Sequence, residues 1–196
     1  MASNLTEYLV LFYVYSLLGW CMEMVYCGIR EHRLVNRGFL LGPCCPIYGV
    51  GMVTITVLFQ HARFGFAAVF VMIIVFCTAL ECAASVVMEH FFHTRWWDYN
   101  DMKFNIHGRV CMETMLPFGL LGCYALYRVN PFFLQLYHTV PYSISRKIVI
   151  GLVLMTLIDL LVSVSVLHGL SLPEGEADHT AEISRRVREK IMKRFG

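Results

Sequence analysis

The sequence predicts an all-α protein, a polytopic membrane helix bundle of about five spans, and composition is the first reason. Of its 196 residues, 58% are hydrophobic and only 15% are charged, whereas an average soluble domain has about 25% charged residues. The mean hydropathy is +0.60, and apolar stretches near the roughly 20 residues of a bilayer crossing recur along the chain. A soluble globule of this size would have to expose much of this apolar surface. The composition therefore excludes a disordered chain, a nucleic-acid-binding domain and a disulfide scaffold.

Five apolar stretches are the candidate spans, and two of them are irregular. They cover residues 5–27, 38–60, 64–92, 110–127 and 148–170. The second begins with two prolines and four glycines within fourteen residues, which predicts a broken or re-entrant start followed by helix from about Gly49. The fourth contains Pro117. The segment 130–142, which has a proline near each end, is predicted to lie at the membrane interface.

The distribution of Lys and Arg predicts the orientation of the chain. The segments 28–38, 93–109 and 171–196 carry 12 of these residues, and the segments on the other side carry 4. Because cytoplasmic segments are enriched in Lys and Arg, we expect a protein of the cell (cytoplasmic) membrane with its N-terminus outside and its C-terminus in the cytoplasm. Residues 1–170 would form the transmembrane domain, and residues 171–196 a cytoplasmic tail.

The tail is predicted to form a basic amphipathic helix. Ile183, Val187 and Ile191 recur every four residues, and six Lys and Arg residues lie in the last twelve positions. Such a helix suits an anionic inner leaflet, so membrane lipids are a predicted partner. A plain solvated helix is the alternative.

Residues 23–51 and 89–122 share a pattern that indicates an internal repeat. Each begins with a glutamate, continues through an arginine-containing loop and ends in a stretch where a proline is followed by glycines. Two such units in one orientation suggest a parallel two-helix duplication to which the last span was added. Chance recurrence of Pro and Gly is the alternative. A true repeat places Arg37 and Arg109 at equivalent positions, where they should approach each other.

Acidic residues inside the apolar stretches are candidates for a functional site, because charges are costly there. Glu23, Glu81 and Asp159 lie within the first, third and fifth stretches. We expect at least one of Glu23 and Glu81 to pair with an arginine or to face a polar cavity, since a lone carboxylate in low dielectric would take up a proton. Asp159 either acts in the site or only bonds to a neighbouring helix through Ser163.

The loop 93–109 is the densest polar segment, and it combines aromatic, cationic and anionic side chains. The tryptophans suit the headgroup region of a membrane. Arginine with tryptophan and a carboxylate also makes a site for an anion or a lipid headgroup. The candidate binding residues of this loop are Arg95, Trp96, Trp97, Asp98, Asn105 and Arg109. The histidines nearby follow no metal-site spacing, and we expect no metal and no cofactor.

The second stretch adds backbone donors to the candidate site. A helix is expected to begin after Gly42-Pro43 and Pro46, and its first N–H groups carry a partial positive charge. Broken membrane helices often direct such ends at anionic groups, and Arg37 precedes this element. The simpler alternative is a Pro/Gly-rich stretch that only lets helices pack closely.

Several longer motifs resemble one family. They are Gly19-Trp20-x-x-Glu23, the run from Asn36 to Gly49, Leu80-Glu81, the run from Thr94 to Tyr99, and Asn105-x-x-Gly108-Arg109-Val110. Over residues 10 to 125 or so, the chain is similar to the bacterial ABC-transporter type IV permease family, which is related to the animal transmembrane protein 229 group. The resemblance implies transport and adds Tyr48 to the candidate binding residues. Cys44 stands where the family usually has an aromatic residue, and residues 113–117 also depart from its pattern.

Three functions are compatible with these features. The first is a permease-like membrane subunit that binds a small anionic solute or a lipid headgroup near the cytoplasmic side. Its expected partners are a homo-oligomer and a separate ATPase subunit, because the chain has few spans and no G-x-x-x-x-G-K-[ST] motif; nucleic acid is not expected. The second is an intramembrane enzyme acting on a lipid headgroup, with Glu23 or Glu81 as general base. The third is a non-catalytic structural or partner-binding protein. The sequence favours a non-enzymatic role, and no catalytic residue is assigned.

Overall fold

The computed structural model describes residues 5–32, 38–170 and 180–195, and these residues are predominantly helical. The elements in chain order are α1 (Leu5–Glu31), α2 (Pro46–Phe59), α3 (Phe66–Phe92), β1 (Asn105–Ile106), β2 (Val110–Cys111), α4 (Met112–Tyr124), a π-helical turn (Ala125–Val129), α5 (Asn130–Thr139), α6 (Tyr142–His168) and α7 (Thr180–Phe195). The predicted all-α fold class is confirmed. The short β1–β2 hairpin is an addition that the sequence did not predict.

Three helices are long and apolar enough to cross a bilayer: Leu5–Ile29, Phe66–Phe92 and Tyr142–His168. Helix α2 is apolar but has only 14 residues, which span about 21 Å, less than the roughly 30 Å of the hydrocarbon core. The predicted number of five spans is therefore not exact. The fourth predicted stretch belongs to a helical run from Met112 to Thr139 that passes through the π-helical turn. Most of the segment 130–142 continues this run.

Two prolines act differently in the two returning helices. Pro46 is the first residue of α2, where its fixed φ and missing N–H are tolerated, so the helix begins three residues before the predicted start at Gly49. The residues before it, 38–45, are irregular, as a broken or re-entrant start requires. Pro117 instead lies inside α4, where its missing N–H removes a helical hydrogen bond and favours a bend.

The bundle is built largely from two helix pairs. Helix α1 packs mainly against α2, and α3 packs mainly against α4. Gly49 lets α2 approach α1, since a Cβ there would lie 2.5 Å from the carbonyl oxygen of Phe12. Gly119 does the same for α4, since its Cβ would lie 2.5 Å from Cγ1 of Ile74. Close approach at small residues is a common way for membrane helices to pack. The internal repeat stays a prediction.

A buried polar network fixes the position of α5. The Tyr15 hydroxyl donates to Oδ1 of Asn130 at 2.6 Å, and Nδ2 of Asn130 donates to Oγ1 of Thr56 at 2.7 Å. All three residues are buried. Because the network satisfies polar groups from α1, α2 and α5 together, it specifies how these helices meet.

Helix α7 lies against the end of the bundle where α3 and α6 finish and where the loop 93–109 is located. We call this end the loop end. Ile183 of α7 is 4% exposed and belongs to an apolar cluster with Trp96 and Leu167. Nζ of Lys190 donates to the carbonyl of Val166 at 3.0 Å, near the C-terminus of α6, where a cation is favourable. The amphipathic helix is present, and its apolar face is turned toward the protein.

Candidate functional site

An ion-pair cluster joins the loop 93–109 to the end of α3. Nη2 of Arg109 lies 2.5 Å from Oε2 of Glu89, and Nη1 of Arg109 donates to Oγ of Ser85 at 2.8 Å. Ser85 and Glu89 are four residues apart and therefore share one face of α3. Arg109 thus ties the loop to two successive turns of the helix.

Arg95 belongs to the same cluster, and its side chain is 5% exposed. Its Nε lies 3.4 Å from Oε2 of Glu89, and its Nη1 lies 3.3 Å from Oδ1 of Asp98. Two arginines therefore face two carboxylates, and the cluster is formally neutral. A buried guanidinium requires partners of this kind. An anion binding at Arg95 and Arg109, as predicted from the sequence, would have to compete with Glu89 and Asp98.

The β1–β2 hairpin positions Arg109. The two strands pair antiparallel, and the turn between them uses Gly108 with φ +67°. Oδ1 of Asn105 accepts the N–H of Gly108 at 3.0 Å, and a Cβ on Gly108 would clash with the carboxylate of Asp98. Glycine is therefore required both for the backbone conformation and for the close approach. Nε1 of Trp97 closes the hairpin by donating to the carbonyl of Arg109 at 2.9 Å.

Tyr48 and Glu23 are bonded to each other inside the bundle, within electrostatic range of Glu81. The Tyr48 hydroxyl donates to Oε1 of Glu23 at 2.5 Å, and Glu81 is close enough to interact with Tyr48 electrostatically. The Tyr48 ring lies over Gly19, where a Cβ would clash with it, and its centroid is 6.0 Å from that of Phe118. The four helices α1 to α4 all contribute to this site. The expectation that Glu23 or Glu81 pairs with an arginine or faces a polar cavity stays a prediction.

Asp159 of α6 holds the irregular segment that precedes α2. Its Oδ1 accepts the N–H of Leu41 at 3.1 Å, and its Oδ2 accepts the N–H of Gly42 at 2.9 Å. The hydroxyl of Ser163 donates to the same carboxylate at 3.0 Å. Two adjacent backbone N–H groups that would otherwise need water donate to this carboxylate, and the N–H of Leu41 also donates to Oγ of Ser163 at 3.2 Å. The bond to Ser163 that the sequence suggested is present, and the N–H of Gly42, a candidate binding residue, donates to Asp159. Pro43 continues the irregular segment.

A cavity of about 280 Å³ lies at the loop end between the irregular segment, Trp96, α6 and α7. Its wall is mostly apolar, and the polar side chains on it are Ser163, Ser184 and Arg188. The volume is near the lower limit of small-molecule sites. Leu41, which Asp159 holds, is also part of the wall. Asp159 therefore shapes one side of the cavity.

Trp96 is part of this cavity and not of an exposed aromatic belt. Its side chain is 5% exposed, and its ring centroid lies 5.3 Å from that of Phe92 and 6.4 Å from that of Phe39. The sequence left a belt and a binding site open as alternatives for this residue. Its burial among aromatic rings makes it a fixed wall of the cavity.

The predicted site residues therefore fall into separate groups. One group is the loop cluster, which consists of Arg95, Trp97, Asp98, Asn105 and Arg109. The other is the bonded pair of Glu23 and Tyr48, within electrostatic range of Glu81. Arg37 lies outside the described residues, and its approach to Arg109 stays a prediction. Over residues 5–32, 38–170 and 180–195, no three His, Cys, Asp or Glu side chains are grouped as metal ligands would be.

Sequence reasoning missed Ser163, Ser184 and Arg188 as cavity residues. Ser163 could have been identified from the sequence, since it lies four residues after Asp159 on the same helix face. Arg188 could not, because nothing in the sequence separates it from the other five cations of the tail.

The fold and these sites define a helical membrane protein with an ion-pair cluster at the loop end. The chain belongs to the family described as Putative ABC-transporter type IV, whose family model matches residues 10–164. The match extends beyond the motifs that carry the sequence resemblance and covers most of α6, but it does not reach α7. No curated protein and no solved structure matches the chain.

Proposed function

We propose that this protein is the membrane-embedded, permease-like subunit of a transport system, and that it binds a small anionic solute or a lipid headgroup in the cavity at the loop end. Membership in an ABC-transporter-type family supports the transport part of the proposal. The observation that carries the binding part is the apolar cavity with Arg188 and two serine hydroxyls on its wall. A guanidinium beside hydroxyl donors suits phosphate, sulfate or carboxylate groups.

The charges at the loop end favour this cavity over the loop cluster as the place where an anion binds. Arg95 and Arg109 are each within ion-pair distance of a carboxylate, and displacing those carboxylates would cost free energy. Arg188 lies on the exposed part of α7 and on the cavity wall. A ligand can therefore place its charged group near Arg188 and its apolar part against Trp96 without breaking the cluster.

The energy for transport would come from a separate ATPase subunit, since the chain contains no phosphate-binding G-x-x-x-x-G-K-[ST] motif. We place the protein in the cell membrane with the loop end toward the cytoplasm, because the segments predicted to be cytoplasmic, which include the loop 93–109, carry most of the Lys and Arg residues. The tagged chain purified from its native membrane is expected to bring an ATP-hydrolysing subunit with it. Preparations from native membranes that never contain ATPase activity above an untagged control would contradict the transport part of the proposal.

Native mass spectrometry from a mild detergent tests the binding part. The unmodified protein is expected to retain a small anionic ligand as a defined mass addition. Ser184→Phe, which fills the cavity from α7, should lose this addition, whereas the matched control Ser184→Thr should keep it. An unmodified protein without any addition, or an addition that survives in Ser184→Phe, would contradict the proposal. The same spectra report the oligomeric state.

A further inference from the structure

Helix α7 forms the outer wall of the cavity. Ile183, Ser184, Val187, Arg188 and Ile191 all line it, and the wall opposite them includes Leu167 and Trp96. The apolar residues of α7 that line the cavity repeat every four positions and form one face of the helix. If α7 leaves the bundle, the cavity loses this wall and becomes open to solutes.

The other face of α7 is exposed and basic. The side chain of Arg185 is 58% exposed, and Lys193 is exposed as well. Glu182 offsets part of this charge through ion pairs with Arg185 and Arg186. A helix with one apolar and one basic face is also the kind of helix that binds the surface of an anionic membrane.

We infer that α7 is a lid with two alternative docking surfaces, the loop end of the bundle and an anionic lipid surface, and that anionic lipid opens the cavity by binding α7. This inference rests on the proposed function, because it concerns access to the same cavity. Ile183, Val187 and Ile191 are the residues that would enter the lipid, and in the closed arrangement the same residues face the cavity. The helix therefore cannot occupy both surfaces at once.

Charge complementarity identifies anionic lipid as the competing surface. The exposed cations gain little from the bundle, whereas each would be attracted to an anionic headgroup region. Lys190 acts in the opposite sense, since its Nζ binds the carbonyl of Val166 at 3.0 Å and holds α7 to α6. Two opposing attractions then set the position of the lid. The bond of Lys190 and the apolar contacts of α7 hold the helix on the bundle, and the negative charge of the membrane draws it away.

Access to Leu167 measures the position of the lid. Leu167 is 3% exposed and shares an apolar cluster with Ile183, so a cysteine introduced by Leu167→Cys is covered while α7 is docked. The full chain is placed in nanodiscs of phosphatidylcholine or of phosphatidylcholine with phosphatidylglycerol. Reaction with a water-soluble maleimide is followed by peptide mass spectrometry, which separates position 167 from the native cysteines. We expect labelling at least about fivefold faster in the anionic discs, as several cations near such a surface would produce.

Matched variants of the Leu167→Cys protein separate movement of the lid from a general loosening of the bundle by anionic lipid. Arg185→Gln with Lys193→Gln removes two cations but leaves the cavity wall intact, and it should label slowly in both lipids. Lys190→Met should label faster than its parent in phosphatidylcholine. Equal labelling rates of the parent in the two lipids would overturn the inference. The basic face would then be a candidate surface for a protein partner. Failure of the proposed function would appear differently, as a labelling response to lipid without any retained ligand in native mass spectra.

Discussion

Replacement of Glu89 by glutamine perturbs the ion-pair cluster at its centre. Oε2 of Glu89 lies 2.5 Å from Nη2 of Arg109 and 3.4 Å from Nε of Arg95, so Glu89→Gln keeps the shape of the side chain but weakens two pairs at once. Breaking a buried pair costs about 3–5 kcal/mol, and an exposed pair contributes about 0–1 kcal/mol. Because Glu89 is 32% exposed while Arg95 is 5% exposed, the expected loss in free energy of unfolding is about 2 kcal/mol, between these limits.

Thermal unfolding of the purified protein in detergent measures this loss. For a chain of this size, 2 kcal/mol corresponds to a decrease in Tm of about 4–8 °C. Glu113→Gln is the matched control, because Glu113 is an exposed glutamate in the first turn of α4, and its replacement should change Tm by less than about 2 °C.

A double-mutant cycle with Arg109→Met attributes the effect to the pair. The coupling free energy between Glu89 and Arg109 should be about 1–2 kcal/mol, and it should decrease at high salt because the pair is partly exposed to solvent. A Tm loss in Glu89→Gln no larger than that in Glu113→Gln, or strictly additive effects of the two substitutions, would refute the view that this cluster holds the loop on α3.

Three further predictions concern other parts of the bundle. Tyr48→Phe removes the hydroxyl that donates a hydrogen bond to Glu23, and it should lower the free energy of unfolding by about 1–2 kcal/mol. Tyr124→Phe at an exposed site should be neutral, and equal losses of stability in the two variants would contradict a stabilising bond between Tyr48 and Glu23. Asp159→Ala leaves the N–H of Gly42 without its acceptor and the N–H of Leu41 with Oγ of Ser163 alone, and it should lower the free energy of unfolding by about 2–3 kcal/mol, with Asp159→Asn in between; a loss of the same size in both variants would exclude the charge as the stabilising feature. A cysteine introduced by Glu189→Cys should react with a membrane-impermeant maleimide only after cells are permeabilised, because the loop end is expected in the cytoplasm. Reaction in intact cells would contradict this orientation.

Hydropathy was enough to predict the helical membrane fold, because the apolar length of a helix is a property of the sequence alone. The stretches 5–27, 64–92 and 148–170 correspond to the three long apolar helices. The boundaries of α2 were less predictable. Two prolines close together can start a helix or interrupt one, and in the structure Pro46 is the first residue of α2.

The site was predictable only where residues lie close together in the chain. Glu81, Ser85 and Glu89 share a helix face by spacing, but the position of Arg109, which binds Ser85 and Glu89, depends on a hairpin whose signal is the weak pattern Asn105-x-x-Gly108. The bond between Asp159 and Gly42 joins residues more than a hundred positions apart. No local pattern encodes such a contact, so the sequence alone predicted neither the bond between Gly42 and Asp159 nor the cavity beneath α7.

Binding of an anionic ligand beside Arg188 is the central claim, and Trp96 gives a direct measurement of it. Trp96 lines the cavity, so a bound ligand should change its fluorescence, and Trp96→Phe identifies its part of the signal. The purified protein is titrated with hexyl phosphate and with hexanol, which share the apolar part and differ in charge. Arg188→Gln should weaken the binding of hexyl phosphate by about tenfold, the loss of one charge-assisted contact, and should leave the binding of hexanol unchanged. Equal affinities of the unmodified protein and Arg188→Gln for hexyl phosphate, or no Trp96-dependent signal with either ligand, would contradict the claim.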